Sequence, residues 1–348
     1  MASACNFMTI TLKDISREAG VDIATVSRAL NGTYGVRKAT REKVLAVAKR
    51  LNYRANLLAR GLAMGRSHTL GLLVPDVGNP FVTELFRGAE DAAYSAGYHL
   101  LLCNSYLDPA REVQYIRSLL DKRVEGILMH SVDALSKTEV KELANSNVPV
   151  VLLCRPPNAY SFSGVSVNQF EGGILGGKHL IDLGHKTVAF LSGSRSHPNF
   201  IERGKGFMKA IALSSEKVTS IVVHGSPSFG GGYQMTKKLL QQKRGITAIF
   251  AANDVTAFGA ARAIFEAGLR IPDDISLIGF DNVELANIVR PPLTTIHQPK
   301  YEMGHAAVEL LLGLAKDGSL RVPEHRQFGV QIVERNSTSA PAKKIGRV

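Results

Sequence analysis

The stretch "TLKDISREAGVDIATVSRALNG", residues 11–32, decides the N-terminal fold, because it carries the signals of two short helices. The first helix has a capping-box signature, Thr11 with Asp14 three residues later, followed by an apolar stripe at helical spacing. The members of that stripe are Leu12, Ile15 and Ala19. Gly20 suits the end of this helix, since glycine readily adopts the left-handed conformation of a helix C-terminus.

A second helix is predicted directly after the turn. Asp22 is its expected N-cap, and Asn31-Gly32 are expected to end it. Its buried stripe consists of Val26, Ala29 and Leu30. A third helix, capped at Thr40, has its own apolar face, formed by Val44, Ala48 and Leu51. Two short helices joined by the tight "AGV" turn are typical of a helix-turn-helix, although a helical hairpin packed on a neighbour has the same pattern.

The outward face of the second helix carries residues suited to DNA. Ile23 and Ser27, like Ala24 and Arg28, are four residues apart and point away from the predicted core. In a helix-turn-helix this helix lies in the major groove. Arg28 can bond guanine with two hydrogen bonds, and Ile23 or Ala24 can contact a thymine methyl group. Thr25 and Ser27 suit phosphate oxygens.

The positive charge of the chain is concentrated in the same region. Residues 1–66 hold 12 Lys or Arg against 4 Asp or Glu, a net charge of +8, whereas the other residues hold 30 against 26, a net charge of +4. A solvated basic face would also explain the excess. Together with a helix-turn-helix, however, it indicates a polyanionic partner, since neutralised phosphates release counterions.

The next segment, "NYRANLLARGLAMGRSH", predicts a short helix and a linker. Asn56 can cap a helix over Asn56–Leu62, whose Leu58 and Leu62 could wedge into a minor-groove step. The alternative is an ordinary linker. Gly61 lowers the helix propensity of so short a segment, so we expect it to fold on binding DNA.

From about Leu70 onward, apolar strands alternate with amphipathic helices such as Phe81–Ala96 and Pro109–Asp121. Nine strands are predicted, at "TLGLLVP", "HLLLCN", "GILMH", "VPVVLL", "GVSVN", "TVAFLSG", "SIVVHG", "AIFAAN" and "SLIGFD". Continuous apolar strands are typical of parallel sheets that are buried on both faces. The number of strands favours two doubly wound lobes over one sheet.

Ligands of such sheets bind beyond the carboxyl ends of the strands. The polar or aromatic groups at these positions are Asp76, Asn79-Pro80-Phe81, Cys154-Arg155, the segment "GSRSHPNFIERG", Asn253-Asp254 and Asp281. Arg203 and Asp281 can engage neighbouring hydroxyl groups in a bidentate manner, and Phe81 can stack on a sugar or base. Each of these residues also has a structural alternative, as a helix cap or half of an ion pair.

Other functional classes lack their signals. The start of the chain shows no signal peptide, and no apolar run reaches membrane-spanning length, so we expect a cytoplasmic protein without a membrane partner. Cys5, Cys103 and Cys154 are expected to be free thiols, without disulfide or metal-ligand spacing. No nucleotide-binding, P-loop, nucleophile-elbow or zinc-protease motif occurs, so neither a cofactor nor catalysis is expected.

Several motifs in order resemble the lac repressor/galactose repressor (LacI/GalR) family of bacterial transcription regulators. They are "TLKDISREAGVDIATVSRALNG", "NYRANLLARGLAMGRSHTLGLLVPD", "FAANDVTAFGA", "GLRIPDDISLIGFDN" and "PPLTTIHQPKYEMG", and the resemblance spans about Leu12–Arg335. It implies an N-terminal all-α helix-turn-helix domain and an α/β core of the periplasmic-binding-protein-like type. It further implies a hinge helix, a homodimer on a near-palindromic operator, and a small effector between two lobes.

The resemblance also assigns roles to residues. It places Ile23, Ala24 and Arg28 at base-reading positions and Thr25 and Ser27 at backbone contacts, while Leu62 matches the leucine inserted into the minor groove. Further DNA-binding candidates are Thr11, Asn31, Tyr53 and Asn56. The effector-binding candidates are Phe81, Arg155, His197, Asn199, Arg203, Asn253 and Asp281.

The implied domain limits follow from the same motifs. We expect a helix-turn-helix domain over 10–55, a hinge helix and linker over 56–68, a core over 69–336 and a tail over 337–348. Lobe 1 would comprise about 69–167 and 297–326, and lobe 2 about 168–295 and 327–336. The corresponding crossovers would lie near Asn168, Ile296 and Phe328. The tail has no leucine heptads, which favours a dimer over a coiled-coil tetramer.

The chain departs from the family pattern at several positions. Ala55 replaces a proline that several relatives carry before the hinge helix, and the residues before Met8 lie outside the pattern, so Met8 is a possible start. Cys154 stands where many relatives have aspartate, and Arg155 follows it. An arginine at the rim of the effector site would favour an anionic ligand over a neutral sugar.

These observations predict an allosterically controlled DNA-binding repressor. Two other classes share parts of the pattern. A secreted sugar-binding protein would share the core but would need a signal peptide and no helix-turn-helix. An α/β enzyme with a DNA-binding head would need catalytic residues in the cleft, which the sequence does not reveal.

Overall fold

The computed structural model describes residues 10–32, 34–53, 66–131, 135–155, 161–242, 244–317 and 322–342. The chain divides into two compact units, Met1–Ser67 and His68–Val348, and each is described by itself. None of the helices in these described ranges has the length and apolar character needed to cross a lipid bilayer.

The first unit contains three helices around a small apolar core: α1 (Leu12–Ala19), α2 (Ile23–Leu30) and α3 (Lys38–Arg50). The buried side chains of this core are Ile15, Ala19, Val26, Ala29, Val44, Val47 and Ala48. The helix-turn-helix predicted from the sequence is therefore confirmed. Leu12, Leu30 and Leu51 pack at the edge of the core and are only partly buried.

The turn between α1 and α2 depends on Gly20. Its φ angle of +64° is in the left-handed region, and its N–H donates to the Ser16 carbonyl at 3.0 Å. The Ser16 hydroxyl in turn donates to the Val21 carbonyl at 2.6 Å. These two bonds satisfy main-chain groups at the helix end, which would otherwise lose hydrogen bonds.

The predicted start of the third helix is wrong. Thr40 is not its cap, because α3 begins at Lys38 and its cap position is Arg37, which has extended backbone angles. The first helical hydrogen bond runs from the Arg41 N–H to the Arg37 carbonyl at 3.0 Å. A helix can begin without a side-chain cap where tertiary packing stabilises it, so a capping residue within the first turn is a misleading signal.

The second unit is built from two lobes, each defined by one sheet and the helices packed on it. The first lobe contains β1 (Thr69–Val74), β2 (His99–Asn104), β3 (Ile127–Met129), β4 (Val150–Leu153), β5 (Ser163–Val167) and β11 (His325–Phe328). Its helices are α4 (Pro80–Ser95), α5 (Pro109–Asp121), α6 (Lys137–Asn145) and α12 (Lys300–Asp317). The strand order in its sheet is β11-β5-β4-β3-β1-β2.

The second lobe repeats this architecture. It contains β6 (Thr187–Ser192), β7 (Thr219–His224), β8 (Ala248–Ala251), β9 (Ser276–Asp281), β10 (Thr294–His297) and β12 (Gln331–Val333), in the sheet order β12-β10-β9-β8-β6-β7. Its helices are α7 (Gln169–Asp182), α8 (Pro198–Leu213), α9 (Phe229–Gln241), α10 (Asp254–Glu266) and α11 (Leu285–Ile288). The predicted fold class, an α-helical N-terminal domain followed by two parallel α/β lobes, is confirmed.

The sequence identified nine strands correctly and missed three. The missed strands are β10, β11 and β12. Each of β11 and β12 lies at the edge of its sheet, so its side chains are only partly buried. Their sequences therefore do not form the continuous apolar runs that revealed the other strands. The strand β12 is also antiparallel to β10, whereas the other described strand pairs are parallel.

The chain passes between the lobes in three described places: after β5, between β10 and α12, and between β11 and β12. The ends of these elements are Val167, His297 and Phe328. At the second of these places the chain leaves β10 of the second lobe and enters α12, which packs on α4 of the first lobe. The first residue of α12, Lys300, therefore lies close to both lobes.

Two glycines allow α7 and α8 to pack closely. A Cβ at Gly173 would overlap the Arg203 carbonyl, and one at Gly206 would overlap the Phe170 carbonyl. We expect Gly173→Ala to lower the free energy of unfolding by about 1–3 kcal/mol, as overpacking of a core does. Urea unfolding measures this. Gly313→Ala in α12 is the matched control, since a Cβ there has no described atom within 4 Å. Equal effects of the two substitutions would contradict the expectation.

Candidate functional site

The exposed face of α2 begins at a helix cap that also involves Thr25. One carboxylate oxygen of Asp22 accepts the Thr25 N–H at 2.8 Å, and the other accepts the Thr25 hydroxyl at 2.6 Å. These bonds lower the pKa of Asp22, because they favour its ionised form. The helix start is therefore fixed, and the Thr25 hydroxyl can still accept a hydrogen bond.

The base-reading candidates lie together on this face. Ile23, Ala24 and Arg28 are exposed, and the Ile23 side chain is 42% accessible despite being apolar. The Arg28 Nε donates to the Ala24 carbonyl at 3.3 Å, so the guanidinium extends along the helix surface. This face therefore presents an apolar and a basic side chain that are both accessible to a partner.

The other candidates of the first unit occupy different surroundings. Ser27 is half-buried and accepts from Asn31 Nδ2 at 3.4 Å. Thr11 is exposed, and both its N–H and its hydroxyl donate to Asp14, at 2.9 and 2.7 Å. Tyr53 is half-buried at the edge of the three-helix core. Asn56, Leu62 and the predicted hinge helix lie outside the described residues.

The segment after α2 contains an exposed residue that sequence reasoning missed. Tyr34 is fully exposed, and the neighbouring Gly35, with a φ of +94°, lies against Arg28: a Cβ there would be 3.8 Å from Arg28 Nη1. This loop therefore borders the exposed face of α2. An aromatic side chain between two basic stretches of sequence was the available signal.

The second unit contains a cavity of about 590 Å³ at the carboxyl ends of its strands. Residues from both lobes line it, so it lies in the cleft between them. The first lobe contributes Asp76, Asn79, Phe81, His130 and Cys154, and the second contributes His197, Asn199, Arg203, Asn253 and Asp281. The segment from Gly225 to Gly230 and Gln298 complete the wall.

Arg203 supplies a buried positive charge to this cavity. Its Nε donates to Gln169 Oε1 at 2.6 Å, and Nη1 donates to the Ala252 carbonyl. The guanidinium lies 3.6 Å from the centre of the Phe280 ring. Burial lowers the Arg203 pKa to about 10, and Asp281 opposes this shift. The side chain therefore remains charged at neutral pH and is held in one orientation.

Asp281 provides the matching carboxylate at the end of β9. It is buried and accepts from Gln298 Nε2 at 2.7 Å. Burial raises its pKa above the ordinary range, whereas Arg203 and Lys300 lower it. A second carboxyl, Asp254, lies behind it, where the Thr295 hydroxyl and the Val283 N–H donate to it at 2.5 and 2.8 Å. Burial, followed by the charge of Asp281, raises the Asp254 pKa.

Asn253 has a shaping role within the cavity wall. Its Oδ1 accepts the Thr256 N–H at 2.8 Å as the cap of α10, and its Nδ2 donates to the Pro227 carbonyl at 3.1 Å. The side chain thus links the end of β8 to the wall segment that precedes α9. The alternative considered from the sequence, a helix cap, is correct for this residue, which also lines the cavity.

Several polar atoms in the wall are buried, and no hydrogen-bond partner is found for them among the described residues. They are His130 Nδ1, Asn199 Oδ1 and Gln298 Oε1. Burial lowers the pKa of His130 to about 3 and that of His197 to about 2, with nearby arginines contributing, so both rings are neutral. Unpaired buried acceptors are costly, and a ligand that donates hydrogen bonds would satisfy them.

The sequence suggested that Arg155 lies at the rim of the cavity, but the structure places it elsewhere. It is 2% exposed, is absent from the described lining of the cavity, and donates from Nη2 to the Ser131 carbonyl at 3.1 Å. Its charge contributes to the lowered pKa of both His130 and His197. The strand end was identified correctly, but the Arg155 side chain is buried against Ser131, directly after Cys154 with its positive φ of 59°.

The polar cavity residues missed in the sequence include His130 and Gln298. His130 directly follows β3, so the expectation that ligands bind beyond the carboxyl ends of strands could have identified it. Gln298 directly follows β10. Gln298 was missed because β10 itself was not identified. Cys103 and Cys154 are free thiols, as expected, and Cys5 lies outside the described residues. In the part of the chain that the structure describes, no three His, Cys, Asp or Glu side chains form a metal-binding group.

Comparisons with known proteins agree with this architecture. Residues 11–56 match the model of the bacterial regulatory proteins of the lacI family, and residues 178–338 match that of a periplasmic binding protein-like domain. The chain belongs to the LacI family of bacterial transcription regulators, a family of DNA-binding repressors and not of enzymes.

Particular relatives make the likeness more specific. Catabolite control protein A of Priestia megaterium is 38% identical over 306 residues, which cover 87% of this chain and 92% of the relative. The lac repressor dimer bound to operator and the anti-inducer ONPF has a TM-score of 0.83 and 30% identity, covering 95% of this chain and 99% of that one. A LacI-family regulator from Enterococcus faecium with bound ribose has a TM-score of 0.70 and 33% identity, covering 79% and 100%.

Proposed function

We propose that this protein is a homodimeric repressor that binds a palindromic operator and responds to a small polyhydroxylated metabolite in the interlobe cavity. The observation that carries the proposal is the cavity itself, because it combines a buried Arg203, a buried carboxylate and unpaired acceptors in a protein of a DNA-binding family. The proposed DNA target places its action in the bacterial cytoplasm.

The DNA-reading part of the proposal assigns roles on α2. Arg28 bonds a guanine edge, while Ile23 and Ala24 contact thymine methyl groups in the major groove. Phosphate contacts come from two groups of residues: Thr25 and Ser27 on α2, and Thr11, Asn31, Tyr53 and Asn56 around it. Leu62 enters the minor groove, and the hinge over 56–68 links the reading domain, 10–55, to the core, 69–336.

The dimer is supported by an apolar depression of about 430 Å³ on the second lobe. Phe229, Phe258 and Phe265 lie among its lining residues, and Phe229 and Phe265 are each more than 40% exposed. Aromatic side chains are enriched in protein interfaces, so we assign this depression to the contact between subunits. The lac repressor, a structural neighbour, is a dimer on its operator. Two copies related by a twofold axis would read two half-sites of a palindrome.

The effector class follows from the groups that a ligand would meet. Asp281 and the oxygens of Asn199 and Gln298 accept hydrogen bonds, so the ligand should carry several donors, as neighbouring hydroxyl groups do. Phe81 offers an apolar face for a sugar ring. A ribose-bound relative has the same architecture. We therefore propose a neutral sugar or sugar derivative.

An anionic ligand is the second candidate, because the sequence has an arginine directly after Cys154. Arg155 does not line the cavity and donates to the Ser131 carbonyl, which disfavours the direct contact on which that hypothesis depended. Thermal shift with matched pairs of neutral sugars and sugar acids distinguishes the two. Stabilisation by neutral sugars supports the proposal, and stabilisation confined to sugar acids overturns it.

The proposed mechanism is an equilibrium between two arrangements of the lobes. A ligand that contacts both lobes favours the closed arrangement, and operator DNA favours one arrangement of the paired reading domains. Because both ligands bias the same equilibrium, each changes the affinity for the other by the same factor.

Selection of bound duplexes from a random-sequence pool, followed by sequencing and a salt titration, tests the proposed function. The expected result is an enriched palindrome whose affinity falls steeply with salt. Absence of enrichment, both with the purified protein alone and with a metabolite extract, would contradict operator reading.

Effector affinity is expected to fall with decreasing pH. Because the pKa of Asp281 is raised, its carboxyl becomes protonated at a higher pH than an ordinary aspartate and then loses acceptor capacity. His130 and His197 stay neutral and add no titration near neutrality. Calorimetry with the sugar identified by thermal shift, at about pH 8 and about pH 5, measures the change.

The stability of the unliganded protein should contain an opposite contribution. The folded state holds the protons of Asp254 and Asp281 more tightly than the unfolded chain, so their contribution to stability is largest at low pH and is lost as pH rises.

For the effector measurement, an affinity that increases toward low pH would contradict the assigned role of Asp281.

A further inference from the structure

Lys300, the first residue of α12, is buried where the two lobes meet. Its side chain is 3% exposed. The ammonium donates to the carbonyls of Asp281, Asn282 and Gln298 at 2.8, 2.9 and 3.3 Å. Because an ammonium has three hydrogens, these three bonds use its full donor capacity. The carboxylate of Glu84 lies 3.6 Å away and supplies the opposite charge.

The partners of Lys300 belong to different lobes. Glu84 is on α4 and Lys300 on α12, which pack together in the first lobe. Asp281 and Asn282 form the end of β9 and the turn after it, in the second lobe. A cation at the start of a helix is unfavourable for the helix dipole, so its position is not explained by α12 itself. Its bonds across the cleft explain it.

The turn that Lys300 holds is strained and functional. Asp281 and Asn282 have φ angles of +122° and +55°, a conformation that residues with a Cβ rarely adopt. Arg335 and His297 also bond the Asn282 side chain, at 2.7 and 3.1 Å. These contacts fix the direction in which the Asp281 carboxylate enters the cavity.

We propose that Lys300 is a positioning residue of the effector response: it fixes the turn that carries Asp281 and, through Glu84, couples that turn to the first lobe. This inference rests on the proposed effector site. It separates two properties. Ligand affinity depends on the turn, whereas transmission of the ligand signal depends on how firmly the first lobe holds the Lys300 ammonium through its ion pair with Glu84.

Two variants separate these properties. Glu84→Gln removes the charge that pairs with Lys300 within the first lobe and keeps the three carbonyl bonds to the ammonium, while Lys300→Met removes both. Glu90→Gln is the matched control, since it removes the same charge from the same helix.

The first readout needs no ligand. Hydrogen exchange of the segment 279–284, measured by mass spectrometry in the unliganded protein, should be at least fivefold faster in Lys300→Met than in the wild type. Glu90→Gln should leave it unchanged. Unchanged exchange in Lys300→Met, or a uniform loss of protection throughout the core, would overturn the proposal.

The second readout uses neutral sugars, with D-ribose as the first probe, and the selected operator. Glu84→Gln should change ligand and unliganded operator affinity by less than about threefold but reduce the coupling between them at least fivefold. Full coupling in this variant would overturn the inference. A wild type that binds none of the sugars would instead contradict the proposed effector class, and the exchange measurement would still decide the role of Lys300.

Discussion

Arg28→Ala is expected to weaken binding to the selected operator by about 1–3 kcal/mol for each half-site, the usual value of a bidentate contact to guanine. For a dimer that reads two half-sites, this amounts to a loss of roughly 30-fold or more. The exposed position of Arg28 on α2, beside Ile23 and Ala24, is the physical reason. Fluorescence anisotropy with operator and random duplexes at several salt concentrations measures the effect.

A matched control separates charge from base reading. Arg17→Ala removes the same charge from α1. It should weaken operator and random DNA alike, whereas Arg28→Ala should also relax the base preference at one position of each half-site. An equal loss on both kinds of DNA for Arg28→Ala would show that this side chain only contributes charge.

The second large effect is expected for Asp281→Asn. The substitution keeps the shape of the side chain but removes the charge that faces Arg203 and the strongest acceptor in the cavity. Hydrogen bonds to charged groups contribute about 1.5–3 kcal/mol, so the affinity for the effector sugar should fall by roughly 10- to 150-fold. Calorimetry measures this affinity.

The same variant should leave unliganded operator binding almost unchanged, since the cavity and the reading domain belong to separate compact units. Asp182→Asn is the matched control, because this carboxylate lies on the surface of α7 and pairs with Lys178. Full effector affinity in Asp281→Asn would exclude Asp281 from the binding site. Loss of operator binding without ligand would indicate a general structural defect.

Local signals in the sequence were sufficient for most of the fold. Asp22 caps α2, and Gly20 ends α1 with a positive φ, because capping and left-handed glycine are properties of a few neighbouring residues. The central strands were identified because side chains such as those of β8 are fully buried and therefore form continuous apolar runs.

Elements that depend on distant partners were not predictable in this way. The edge strands β11 and β12 have mostly half-buried side chains of mixed polarity, and they pair with main-chain groups that β5 and β10 offer. The start of α3 is likewise set by packing in the three-helix core and not by a cap.

The same distinction applies to the cavity. Phe81, Arg203 and Asp281 were found because each belongs to a strand end or to the helix that follows one. The burial of Arg155 depends on its contact with the distant Ser131 carbonyl, and the position of Lys300 depends on a contact between lobes. Neither is encoded in neighbouring residues. Asn253 lines the cavity, whereas the next residue, Asp254, is buried behind the wall. The position of a residue at a strand end therefore does not by itself predict that its side chain reaches the cavity.

The most direct test of allosteric control is an operator titration of wild-type protein with and without the sugar that stabilises it in thermal shift, repeated with Asp281→Asn. We predict that the sugar changes the operator Kd of the wild type at least fivefold and leaves that of Asp281→Asn unchanged at the same concentration. An unchanged operator Kd in the wild type, or an equal change in both proteins, would contradict control through the interlobe cavity.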